Sequence, residues 1–79
     1  MKHTIFYIDN ATGKTNKKET IEVNENNFFE YMKKIDPDHE IEEQDFYTEF
    51  IDEGLDYKKI KDANLRHYMK QNLENYGLI

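Results

Sequence analysis

The chain opens on Thr4-Ile5-Phe6-Tyr7-Ile8, a run of β-branched and aromatic residues, apolar at four successive positions, that suits a strand covered on both faces. Asp9-Asn10-Ala11-Thr12-Gly13-Lys14 follows, rich in residues that tolerate turn geometry, and predicts a hairpin with a Gly bulge. The return strand over residues 15–23 alternates better: Glu19, Ile21 and Val23 share one face, Thr20 and Glu22 the other. Lys14, Lys17 and Lys18 decorate the turn end, where lysine discourages edge-to-edge pairing.

From residue 24 onward the apolar period becomes helical. Asn24 is a serviceable N-cap, with Val23 and Phe28 spaced for a hydrophobic staple. Phe28, Phe29, Met32 and Ile35 form one stripe, flanked by Tyr31. Lys33 and Lys34 suit the negative end of the helix dipole, and Asp36-Pro37 closes the element because a residue before proline is driven out of the α region. A second helix opening at Asp36 would point Ile41 away from the Phe46, Tyr47, Phe50, Ile51 stripe. A helix over 42–53, with Ile41 packed back onto Phe46 and Gly54 as the stop, removes that conflict. A third strand near 45–51 is the alternative, since Asp52 and Glu53 are the wrong charge for a helix C-terminus.

Asp56 caps the last helical region, and Leu55 with Ile60 repeats the staple spacing. Tyr57, Ile60 and Ala63 make one stripe, whereas Leu65, Tyr68, Met69, Leu73 and Tyr76 make another, rotated by roughly a third of a turn. A break near Asp62-Ala63-Asn64 reconciles the two, with Asn64 as the second cap, and Gly77 with Leu78 predicts a Schellman-type end. The fold class expected is therefore α+β: one small domain over residues 1–79, an N-terminal β-hairpin followed by three or four short helices. Phe28, Phe29, Met32, Phe50, Ile60, Leu65, Met69 and Leu73 are the expected core.

Composition narrows the chemistry. At 79 residues such a domain buries only about 60% of its unfolded surface, which leaves little volume for a water-excluded cleft. The chain has no Cys and no Ser, which excludes disulfide frameworks, thiolate zinc sites and thiol or serine nucleophiles. No apolar run is long enough for a signal peptide or a membrane span, so a cytoplasmic protein of a bacterial host with no membrane partner is expected. His39-Glu40-Ile41-Glu42-Glu43 lacks the second histidine of a zincin helix. Asp36, Asp38 and Glu40 occupy calcium-loop positions without the glycine and the bidentate glutamate that such a loop needs. Gly13-Lys14-Thr15 lacks the preceding glycine of a phosphate-binding loop. The expectation is a non-enzyme with no cofactor, no metal and no catalytic residue.

Charge changes the picture more. Asp36, Asp38, Glu40, Glu42, Glu43, Asp45, Glu49, Asp52, Glu53 and Asp56 fall within residues 36–56, which hold no Lys or Arg. The net charge of −6 is thus a −10 block set in a +4 remainder. The large apolar residues interleaved with these acids make a folded acidic surface more natural than a disordered tail. DNA carries one charge per ~1.7 Å of duplex axis, and a 12-residue helix spans ~18 Å, so the block approaches comparable linear charge. In size, acidity, Asn and Lys richness and lack of a catalytic signature, the chain resembles the small anti-restriction and anti-CRISPR proteins of phages and mobile elements. That resemblance is compositional and covers no motif. The resemblance carries no site residues across; with the charge pattern it leads to the expectation of a protein-binding inhibitor that presents the ten acids, as a nucleic-acid mimic, to the basic groove of a nuclease complex, with Tyr47 or Tyr57 as anchors if they lie outside the core. Two other functions compete. Lys58, Lys59, Lys61, Arg66 and Lys70 could serve a small nucleic-acid-binding regulator built like a helix-turn-helix, although the net negative charge disfavours direct nucleic-acid binding. A two-stranded sheet is marginal alone, so a dimeric adaptor is the other.

Overall fold

The computed structural model describes residues 2–79. Strands β1 (Lys2–Ile8) and β2 (Thr15–Glu22) pair antiparallel, running from Lys2 opposite Glu22 to Tyr7 opposite Lys17 and Ile8 opposite Thr15. The last step leaves Asn16 as an extra, bulged residue. The turn is tied by its first residue: the Asp9 carboxylate accepts the Ala11 N–H at 2.8 Å, and the Asp9 carbonyl accepts the Gly13 N–H at 2.7 Å.

Only one face of this hairpin is covered. His3, Ile5 and Tyr7 alternate with exposed neighbours, and Phe6 and Ile8 are 59% and 61% exposed. The expectation of a strand buried on both faces is therefore corrected. Among the described residues no element lies over the outer face, and Phe6 there stands opposite Lys18.

Helix α1 is Phe28–Ile35, with its N-cap at Asn27, three residues later than the Asn24 cap suggested. Asn24 does cap, but it caps a turn ahead of the helix. Its side-chain oxygen accepts the N–H groups of Asn26 and Asn27 at 2.8 and 3.1 Å, while Asn27 Oδ1 accepts the Asn24 N–H at 2.8 Å. Val23 and Phe28 are both buried, as the staple spacing required.

Helix α2 is Glu43–Asp52, so residues 45–51 are helical and the third strand considered there does not form. Its C-terminus is a Schellman end: Gly54 takes φ +74, its N–H reaches the Ile51 carbonyl at 2.9 Å, and the Leu55 N–H reaches Phe50 at 3.3 Å. This geometry satisfies the last carbonyls, which is how the helix tolerates two acids at its end. A 3₁₀ turn, Tyr57–Lys59, capped by Asp56, leads into α3, Ala63–Asn75. Asp62, and not Asn64, caps α3, accepting the N–H groups of Asn64 and Leu65 at 2.9 and 3.0 Å. Gly77 and Leu78 close it as expected, with the Leu78 N–H on Leu73 at 2.8 Å. The architecture is thus an α+β hairpin followed by three α-helices.

The core lies between the inner hairpin face and the helices. Phe28, Phe50, Ile60, Met69 and Leu73 are its most deeply buried members, joined by Val23, Tyr31, Met32 and Tyr47. Phe28 meets Phe46 and Phe50 edge-on, each at 5.2 Å between ring centroids, the arrangement that aromatic quadrupoles favour. Phe29 and Leu65, expected inside, sit half-buried at the margin. Two long-range hydrogen bonds pin the turn before α1 to the α2–α3 connection: Glu25 accepts the Asp56 N–H and Asn26 accepts the Lys61 N–H, both at 2.9 Å. The molecule measures 44 × 22 × 20 Å, and residues 10–18 at the hairpin tip are exposed throughout. Among the described residues no helix is long and apolar enough to cross a membrane.

Candidate functional site

Ten acids that are equivalent in sequence divide into two groups once folded. Asp36 holds the α1–α2 loop: its two carboxylate oxygens accept the N–H groups of Glu40 and Ile41 at 2.9 and 3.0 Å. The loop turns at His39, a non-glycine residue at φ +54, a left-handed conformation that L-residues adopt at a cost and that Asp36 holds in place. Asp56 spends its carboxylate on the Lys58 N–H at 3.0 Å. Glu53 turns inward, its side chain only 3% exposed, with Oε1 2.6 Å from His3 Nε2. Despite that proximity, neither His3 Nε2 nor Glu53 Oε2, both buried, has a hydrogen-bond partner among the described residues. The His3 ring meets Tyr31 in a tilted contact, 5.1 Å between centroids, so this cluster joins β1, α1 and the end of α2.

Glu49 stands beside Glu53. Burial, the Glu53 charge, a hydrogen bond to Glu53 and the Asp52 charge push its carboxyl above the usual value, with His3 acting weakly the other way. Burial first, then the charges of Glu53 and Glu49, raises Tyr31 likewise. On the hairpin's inner face the pairing runs in the opposite sense: Lys34 Nζ lies 2.5 Å from Glu19, holding that carboxyl low and the ammonium high.

The remaining acids, Asp38, Glu40, Glu42, Glu43, Asp45 and Asp52, are exposed. Glu43 bonds the Tyr76 hydroxyl, which raises that phenol. Three of the others converge. Between α1, the Asp36-held loop and α2 lies an open hollow of about 410 Å³ whose floor is Met32, Ile35 and Ile41 and whose walls are Glu40, Glu42, Asp45 and Glu49. Ile35 and Ile41 are among the exposed large apolar residues, at 42% and 38%. No cation lines this hollow. Across Ile41 a second cleft, about 320 Å³, has an aromatic floor of Phe29, Phe46 and Tyr68, but Lys33 and His39 stand on its rim and dilute its acidity. The sequence did not single out Ile35 or Ile41 as site residues. Their signal was present as apolar positions on either side of Asp36-Pro37, Ile35 closing the α1 stripe and Ile41 preceding the α2 stripe.

The aromatic anchors fare differently. Tyr47 is core, 2% exposed, and burial with a hydrogen bond to Tyr68 raises its hydroxyl far above the ordinary phenol. Tyr57 is half-buried in the 3₁₀ turn.

Of the basic segment, Lys58, Arg66 and Lys70 come together with His67 around one open pocket, while Lys59 and Lys61 lie outside it. Lys58, Lys59 and Lys61 are exposed, Lys70 lies 3.9 Å from Glu74, and Arg66 Nη1 donates to the Ile60 carbonyl at 2.9 Å. Residues 57–75 hold a single 3₁₀ turn and one α-helix, so the two-helix reader that a helix-turn-helix requires is not built. Among the described residues no group of three His, Asp or Glu is arranged to hold a metal ion. No protein-family model, curated protein or solved structure matches the chain.

Proposed function

We propose that this chain is a non-enzymatic inhibitor that binds a protein, taking Lys and Arg side chains from a nucleic-acid-binding groove into the hollow between α1 and α2. The observation that carries the reading is four carboxylates around an apolar floor, with no cation among the lining residues. That pairing suits a long basic side chain, whose methylenes lie on Ile35 and Ile41 while its head meets the carboxylates. A duplex offers the same groove phosphate charge without the apolar floor. The chain would therefore compete with nucleic acid for the groove while adding contacts that nucleic acid lacks, as an anti-restriction or anti-CRISPR inhibitor of phage origin would.

The test is release of labelled nucleic acid from a panel of bacterial nuclease complexes, followed by fluorescence anisotropy. Wild type releases the strand from its target, and the triple charge reversal Glu40→Lys, Glu42→Lys, Asp45→Lys does not. The reading is overturned if the reversed protein competes as well as wild type, or if no groove-bearing complex responds.

A further inference from the structure

We infer that the hollow between α1 and α2 is filled, when no foreign partner is present, by the lysine-bearing hairpin tip of a second copy of this chain. This rests on the hollow being a receptor for basic side chains and names a partner for it. The tip has the required chemistry. Residues 9–18 carry Lys14, Lys17 and Lys18 against one acid, Asp9, whose carboxylate is engaged by the Ala11 N–H. On the outer face Phe6 and Ile8 stand more than half exposed, with Lys18 directly across from Phe6. The tip therefore presents apolar surface beside ammonium groups, the complement of an apolar floor walled by Glu40, Glu42, Asp45 and Glu49.

A nucleic-acid backbone would meet the tip's lysines but offer Phe6 and Ile8 no apolar floor, and two chains of −6 repel at long range, so pairing rests on local complementarity. A second copy has the opposite charge where it is needed. If each hairpin enters the other's hollow, the arrangement closes as a two-fold dimer and makes the contact twice. A specific interface needs roughly 500 Å² from each partner, which is less than a tenth of this chain's 5810 Å² surface. Pairing also covers a hairpin face that otherwise stays bare, and makes the dimer a resting form that a basic groove must displace.

Charge-swapped proteins followed by sedimentation equilibrium test this. Wild type should move from 9.6 kDa toward twice that mass as concentration rises, and return in high salt. Lys14→Glu with Lys18→Glu should stay monomeric, as should Glu42→Lys with Asp45→Lys, while an equimolar mixture of the two forms a heterodimer. Circular dichroism establishes that each is folded, and Phe6→Gln, a change at an exposed position, supplies an independent variant that should weaken self-association at least tenfold. Wild type monomeric up to millimolar concentration, a mixture that stays monomeric, or a Phe6→Gln protein that pairs like wild type overturns the inference. The Lys14→Glu, Lys18→Glu protein keeps an intact hollow, so its continued competition with nucleic acid would leave the inhibitor reading standing on its own.

Discussion

Glu49 shows how a single carboxyl acquires a role that its neighbours in sequence do not share. Its folded value is raised, chiefly by burial and then by Glu53, so the folded state binds its proton more tightly than the unfolded chain does. The favourable contribution is then present below the ordinary value of 4.5 and is lost as pH rises through the raised value, which is the reverse of the usual carboxylate behaviour. Glu49→Gln mimics the protonated group. The variant is expected to melt at a higher temperature than wild type near neutral pH, with the gap closing below the ordinary carboxylate range; thermal melts across an acid-to-neutral series measure it. A gap that widens in acid would mean that folding does not raise Glu49. None of this was legible in the sequence. Ten acids in one stretch look alike until the fold brings His3 beside Glu53 and sets Glu49, unlike the exposed Asp52, half-buried in the hollow with Met32 and Ile35.

At the scale of elements, stop signals were easier to read than starts. Gly54, Gly77 and the Asp36-Pro37 pair ended their helices where expected, because each imposes a backbone condition that few alternatives satisfy. Starts are degenerate. Asn24 and Asn27 are both good caps, and so are Asp62 and Asn64; the sequence does not say which will bond the following N–H groups. The structure decides for Asp62, which takes two of them. Asp62→Ala is therefore expected to destabilise the protein by about 1 kcal/mol, whereas Asn64→Ala, at a position whose own N–H is the one capped, should leave stability nearly unchanged. Urea denaturation distinguishes them, and equal losses would move the cap back to Asn64. The hairpin was legible for a related reason, its turn residues, yet its burial was not. Four successive apolar residues read as a two-sided strand, but two strands with all their tertiary partners on one side leave Phe6 and Ile8 facing water.

For the whole molecule, the −10 block is the feature the sequence made most visible and the one folding redistributes most. If acidity in general were what a basic groove recognised, each of the ten positions would matter about equally. The fold makes a different prediction. Glu42 and Asp45 wall the apolar hollow, while Asp38 and Asp52 are equally exposed and equally charged but line no part of it. Charge reversal at Glu42 or Asp45 places a lysine directly against the incoming cation, at a separation well inside the screening length. Reversal at Asp38 or Asp52 changes only the distant field, which physiological salt screens within ~8 Å. Competition assays on the four single variants at physiological salt should therefore show at least a tenfold loss for Glu42→Lys and Asp45→Lys. Losses for Asp38→Lys and Asp52→Lys should be under threefold and should vanish at high salt. Equal losses at all four positions would return the function to undifferentiated acidity and remove the hollow from it.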